Sequence, residues 1–208
     1  MRMKKGFTLI ELLVVIGILG TLMAVLVSGF SNAPKKAERA KCEELVRNVA
    51  SAFAIAFDRR GAWPQAILDN NNSDQGIDEK VAVALAKASD KTLSVSYDES
   101  TGRATGLDRL GIVTPWAAAI IKAKGTSAAL SDKVAGGGTI QDHRLRYAVD
   151  LDGDGIIEGA NIGGESVNIR ATAAVWCGGA DGKIETYKIG QRKDDVYSWV
   201  YGQTQNVR

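Results

Sequence analysis

The stretch Gly6-Phe7-Thr8-Leu9-Ile10-Glu11-Leu12-Leu13-Val14-Val15-Ile16 decides how the chain is read, because it places one carboxylate near the start of a long apolar run. From Phe7 to Phe30, Glu11 is the only ionisable side chain. At about 1.5 Å per residue, a helix over that run is long enough to cross a bilayer. Arg2, Lys4 and Lys5 precede it, and the positive-inside rule keeps such a cluster in the cytoplasm. A carboxylate inside a membrane helix costs roughly 2.5–3.5 kcal/mol even on the lenient translocon scale, which makes Glu11 a functional residue with a partner, most simply an amine.

Two plainer readings compete. A secretory signal peptide has an apolar core of about 7–15 residues and a small-residue cleavage site. Ser31-Asn32-Ala33 offers such a site, but the run is too long, contains Glu11 and would put Pro34 straight after the cut. A simple signal anchor accounts for the length and not for the glutamate. Lys4-Lys5-Gly6 ahead of Phe7-Thr8-Leu9-Ile10-Glu11 resembles the class III signal of type IV prepilins and type II secretion pseudopilins. That resemblance implies that prepilin peptidase cuts between Gly6 and Phe7, that the new Phe7 amine is N-methylated, and that Glu11 offsets this amine on a neighbouring subunit. Pairing in a dry filament core is what makes a buried charge tolerable.

The expected organisation is a leader over 1–6, a transmembrane and filament-core helix over 7–33, and a globular domain over 34–208 that includes an amphipathic stem helix over 35–60. Of the 208 residues, about 175 fall in the last part, one domain's worth of chain. The net charge of +2 gives no basis for nucleic-acid binding. With a single histidine, no Cys/His cluster and no serine in a nucleophile elbow, the sequence offers no support for an enzyme. His143, beside Arg144, reads as a surface or strand-end residue, and Trp63, Trp116, Trp176 and Trp199 read as core or rim aromatics.

Cys42, Leu45, Val46, Val49, Phe53, Ala56 and Phe57 recur at three- and four-residue spacing, the stripe of a half-buried helix. Gly61 and Pro64 should end it. A second helix is expected over Ile77–Ser89, a short strand over Thr92–Tyr97, and a short helix over Ala117–Ala123 started by Pro115. Arg144–Val149, Ser166–Trp176 and Lys183–Ile189 read as strands. Helices followed by short strands predict an α+β fold, with an antiparallel sheet whose apolar face covers the Cys42–Phe57 stripe. The resemblance makes this fold pilin-like. It extends to Arg60-Gly61-Ala62-Trp63-Pro64, similar to the exit from the first helix of the major pseudopilins, whereas Thr114-Pro115-Trp116 starts like a family segment and departs from it at Ala117.

Two acidic loops are candidates for Ca²⁺, the one cofactor suggested. Asp150, Asp152 and Asp154, with Gly155 next, have the spacing that turns alternate oxygens toward one cation, and Glu158 could complete a small loop. The alternative is a solvated turn. Asp181-Gly182 and Asp194-Asp195-Val196-Tyr197-Ser198-Trp199 look like the closing segment of the major pseudopilins, whose resemblance implies Ca²⁺ ligands at Asp181 and Asp195. Cys42 and Cys177 could pair as a disulfide in an oxidising compartment or stand as two inert buried thiols.

The resemblance implies a structural subunit of a type IV pilus-like or type II secretion pseudopilus filament. Its partners would be other copies and related pilins, prepilin peptidase, an inner-membrane assembly platform and the membrane, with no nucleic acid. It would sit in the inner membrane as a single-pass prepilin and then in a periplasmic or extracellular filament. The other class weighed is a pilin-like surface-displayed adhesin or receptor-binding module, with recognition in the loops of the unmatched middle.

Overall fold

The computed structural model describes residues 8–30, 33–187, 194–199 and 204–206, with α1 side chains described as far as Met23. The chain divides into two units, Met1–Glu38 and Arg39–Arg208. In the first, α1 runs Leu9–Phe30, and every described side chain on it is exposed. Among the described residues no helix is long and apolar enough to cross a membrane.

The helix α2 spans Ala33–Arg60, and Gly61 ends it as expected: its φ of +64° is the left-handed conformation that glycine tolerates. Its N–H donates to Phe57 O at 2.7 Å. Three further α-helices follow among the described residues, α3 (Gln65–Asp69), α4 (Glu79–Ala88) and α5 (Pro115–Lys124). Asp78 caps α4 by accepting from Val81 N at 2.9 Å, and Pro115 opens α5 at the position where its missing N–H costs nothing.

Among the described residues the second unit has six strands: β1 (Arg146–Val149), β2 (Ile156–Ile162), β3 (Glu165–Arg170), β4 (Ala173–Cys177), β5 (Val196–Tyr197) and β6 (Thr204–Asn206). They form two antiparallel sheets in the orders β1-β4-β5 and β2-β3-β6. This is the α+β arrangement expected, with two sheets where the sequence suggested one.

The β1-β4-β5 sheet is covered on both faces. Tyr147, Val149, Val175 and Cys177 point into a core with Cys42, Val46, Val49 and Phe53 of α2 and Val81 and Leu85 of α4. Ala148, Ala174 and Trp176 point the other way, against Ile157, Ile162, Val167 and Ile169 of the second sheet. Period-two alternation sends neighbours in β4 to opposite faces, so burial of both explains why Ala173-Ala174-Val175-Trp176-Cys177 is apolar throughout. Phe53 stacks on Tyr147 with centroids 4.9 Å apart, and the Tyr147 hydroxyl donates to Ile67 O at 2.7 Å, fastening α3 to the same core.

Three strand expectations need correction. Ser166–Trp176 is not one strand, since β3 and β4 lie in different sheets and Ala171-Thr172 turns the corner between them. Thr92–Tyr97 forms no strand and keeps only an isolated bridge from Tyr97 to Ala104, because Asp108 Oδ2 takes the Ser96 N–H at 2.7 Å. Lys183–Tyr187 is not a strand either: Asp181 and Asp195 accept from the N–H groups of Lys183 and Glu185. Lys188 and Ile189 lie outside the described residues.

Candidate functional site

At the N-terminus, Thr8 and Glu11 close around the start of α1. Glu11 Oε2 accepts from the Thr8 N–H at 2.9 Å and from the Thr8 hydroxyl at 2.8 Å, and Glu11 N–H points back to Thr8 Oγ1 at 3.4 Å. This is a reciprocal capping box, and the spacing Thr-x-x-Glu ahead of an apolar run is its signal in the sequence. A reading of Glu11 for assembly alone overlooks Thr8. Both side-chain contacts use Oε2, and Oε1 takes no hydrogen bond among the described residues. Gly6 and Phe7 lie outside the described residues.

The Asp150 loop is organised by its own backbone. The buried Asp150 accepts from Asp152 N, Gly153 N and Gly155 N at 3.2, 2.8 and 2.7 Å, and Asp154 Oδ1 accepts from Ile156 N at 2.7 Å. Burial alone would raise the Asp150 carboxyl, but these donors outweigh it and hold the group below its ordinary range. Asp150, Asp152 and Asp154 each bring an oxygen within 4.8 Å of the others, whereas Glu158, exposed on β2, does not join them.

The second loop gathers Asp181, Glu185 and Asp194, again within 4.8 Å of one another and half-buried. Asp194 Oδ2 accepts from Ala180 N, which ties this segment to the turn after β4. Asp195 lies beside the cluster and not in it. Its Oδ2 accepts from Glu185 N at 3.0 Å and from the Tyr197 hydroxyl at 2.9 Å, while its buried Oδ1 has no hydrogen-bond partner among the described residues. Burial, with Glu185 adding repulsion, pushes the Asp195 carboxyl up to about 7 despite those two donors. Carboxylates crowded this way favour neutralisation by a proton or a hard cation. The all-oxygen donor set and the orphaned Asp195 Oδ1 fit Ca²⁺, which Asp181, Glu185 and Asp194 would hold, supplying charge neutralisation to the loop.

Cys42 and Cys177 are fully buried, with their sulfurs 3.1 Å apart. Trp199 Nε1 donates to the Tyr187 hydroxyl at 2.7 Å, and its ring meets Trp176 edge-on at 5.9 Å, so Trp199 anchors the closing segment to the inter-sheet core.

The prokaryotic N-terminal methylation motif family matches residues 1–27. Type IV major pilin protein PilE1 of Neisseria gonorrhoeae is 33% identical over 75 residues, 36% of this chain and 42% of that protein. The type IV narrow pilus major component PilA5 of Thermus thermophilus is 46% identical over 52 residues, 25% of this chain and 45% of the relative. Over these stretches the chain resembles type IV pilins. Fimbrial protein EcpC of Eikenella corrodens is 27% identical over 112 residues, 51% of this chain and 70% of that protein. This pilin-like chain spans about two-fifths of the length of the first curated relatives it matches, 42% and 39%. No solved structure matches it. The relatives are named as pilin and fimbrial proteins.

Proposed function

We propose that the chain is a structural subunit of a type IV pilus-like filament. It is inserted in the cytoplasmic membrane as a prepilin, cut by prepilin peptidase between Gly6 and Phe7, methylated on the Phe7 amine, and assembled with other copies by an inner-membrane platform. The observation that carries this reading is the methylation motif over residues 1–27, in which Glu11 is the one carboxylate of the apolar run. The exposed apolar side chains of α1, from Leu9 to Met23, support it: such a surface needs lipid or another apolar helix over it. On assembly the capping contact to Thr8 gives way to, or is joined by, the Phe7 amine of a neighbour.

A second reading, a type II secretion pseudopilus subunit, is favoured by the closing segment, where Asp181 meets Asp194 and Trp199 anchors the core. The names of the relatives favour a pilus.

Two measurements test the proposal. Intact-mass analysis of the mature subunit should show loss of Met1–Gly6 and one added methyl group; cleavage after Ala33 would overturn it. Glu11→Val should be cleaved and membrane-inserted yet absent from sheared filaments seen by electron microscopy, and normal incorporation would remove the ion-pair role.

A further inference from the structure

We propose that Cys42 and Cys177 form a disulfide joining α2 to β4, closed while the domain folds in the presence of a disulfide donor and shielded from exchange afterwards. The two sulfurs sit 3.1 Å apart, and both residues have no exposed surface. Bond formation asks them to close by about 1 Å, to the usual 2.05 Å, a distance that small side-chain torsions supply. Each sulfur is delivered by a rigid element. Cys42 stands one turn before Val46 on the buried stripe of α2, and Cys177 is held in register opposite Val196.

The donor is a small or protein disulfide. One cysteine thiolate attacks it, forms a mixed disulfide and expels one donor thiolate. The second cysteine thiolate then attacks the sulfur of the first and expels the other. Two protein thiols thus lose two protons and two electrons, and the donor disulfide becomes two thiols. Both attacks need a thiolate with access to the donor. The packed state denies both. No surface is exposed, and the shared S–H···S contact with burial drives the Cys42 thiol far above its ordinary range. Closure therefore precedes the packing of β4 on α2, and the redox state is trapped when the core forms. The cross-link ties positions 135 residues apart, a long loop whose closure removes much entropy from the unfolded chain. The geometry stands apart from the filament reading, which contributes only the oxidising compartment that export would provide.

The test uses the full-length chain in detergent micelles, reduced, unfolded and refolded with or without oxidised glutathione, then unfolded and treated with iodoacetamide. Refolding with the donor should leave neither cysteine alkylated and a mass lower by two hydrogens. In the native state the bond should survive excess dithiothreitol and yield only when denaturant is added. The oxidised chain should melt roughly 10 °C above the reduced one, and the Cys42→Ala/Cys177→Ala double variant should not respond to the donor. Two alkylated cysteines after refolding with glutathione disulfide would overturn the bond. Equal reduction rates in native and unfolded chain would overturn the trapping. A bond that closes on refolding yet is missing from the chain taken from cells supports the pair and counts against the export reading.

Discussion

Neither ring nitrogen of His143 can gain a proton without disturbing its surroundings. Nε2 is 3.0 Å from Gly137 O, which can only accept, so Nε2 carries the hydrogen and Nδ1 accepts from the Thr114 hydroxyl at 2.9 Å. Burial lowers the pKa of this neutral ring, outweighing the carbonyl of Gly137 and the carboxylates of Asp142, Asp181 and Asp194. A base with a depressed folded pKa makes a stability contribution that is complete above its ordinary value near 6.5 and is lost as pH falls below it, because the unfolded chain takes up the proton first. His143 should therefore subtract from the melting temperature of the wild type in chelator between about pH 6.5 and pH 5, against the gain from Asp195, whose raised carboxyl takes up its proton first in the folded chain over the same window. His143→Gln should lose less over that window than the wild type, and equal slopes would show that the His143 ring binds protons alike in the folded and unfolded chain. The sequence reads this histidine as a surface residue because nothing local buries it. Gly182, distant along the chain, comes so close that a Cβ there would stand 2.9 Å from the ring nitrogen Nε2. The acidic residues divide the same way. Motif spacing points to Asp181 and Asp195, but the fold turns Asp194 toward Asp181 and gives Asp195 to Tyr197 and Glu185 N, a choice that adjacent aspartates do not reveal.

Elements with local signals were legible and those without were not. The end of α2 at Gly61, the Asp78 cap of α4 and the Pro115 start of α5 all follow from one or two residues acting on their own backbone. The corner between β3 and β4 has no such mark. Ala171-Thr172 contains neither Gly nor Pro, and alternation passes through it unbroken, so only the exchange of one sheet for another separates the strands. The strand β2 was hidden by its own irregularity: the register shifts between Ile157 and Ala160, around Gly159 at φ +63°. The hairpin from β2 to β3 turns through Gly163-Gly164, at φ +58° and +85°, the doubly positive geometry of a two-residue turn that matches strand twist. These two glycines should not tolerate alanine equally. Gly164 has open space around it, so Gly164→Ala should cost only backbone strain, about 1–2 kcal/mol. At Gly163 a Cβ would run into the Glu185 carbonyl, so Gly163→Ala should cost about 3 kcal/mol or more by displacing that segment as well. Urea unfolding of both variants checks the order, and equal costs would mean that the Glu185 backbone yields freely.

The whole globular unit is layered: α2 and α4 cover one face of the β1-β4-β5 sheet, the β2-β3-β6 sheet covers the other, and the chain after β4 returns through Asp194–Trp199, adding β5 at the edge of the first sheet. That return is held from two sides, by Trp199 and Tyr187 in the inter-sheet core and by the carboxylates around Asp181. The first anchor is apolar and independent of ions, whereas the second sets like charges together and gains from a cation that bridges them. Ca²⁺ takes six to eight oxygens, and a ligand that binds only the native state stabilises it by about 2.7 kcal/mol at a hundredfold excess over Kd. For a domain of this size that shift is roughly 5–10 °C. The full-length chain should accordingly melt higher in Ca²⁺ than in chelator. Asp181→Ala should abolish the shift if the closing loop holds the ion, and Asp152→Ala with Asp154→Ala should abolish it if the Asp150 loop does. The closing loop is the stronger candidate: Asp150 already spends both oxygens on backbone N–H groups, whereas Asp195 leaves a buried oxygen unpartnered beside its cluster. Equal melting in Ca²⁺ and chelator at millimolar concentration would assign both loops to hydrogen-bonded turns and leave the closing segment to its aromatic anchor and the pairing of β5 with β4.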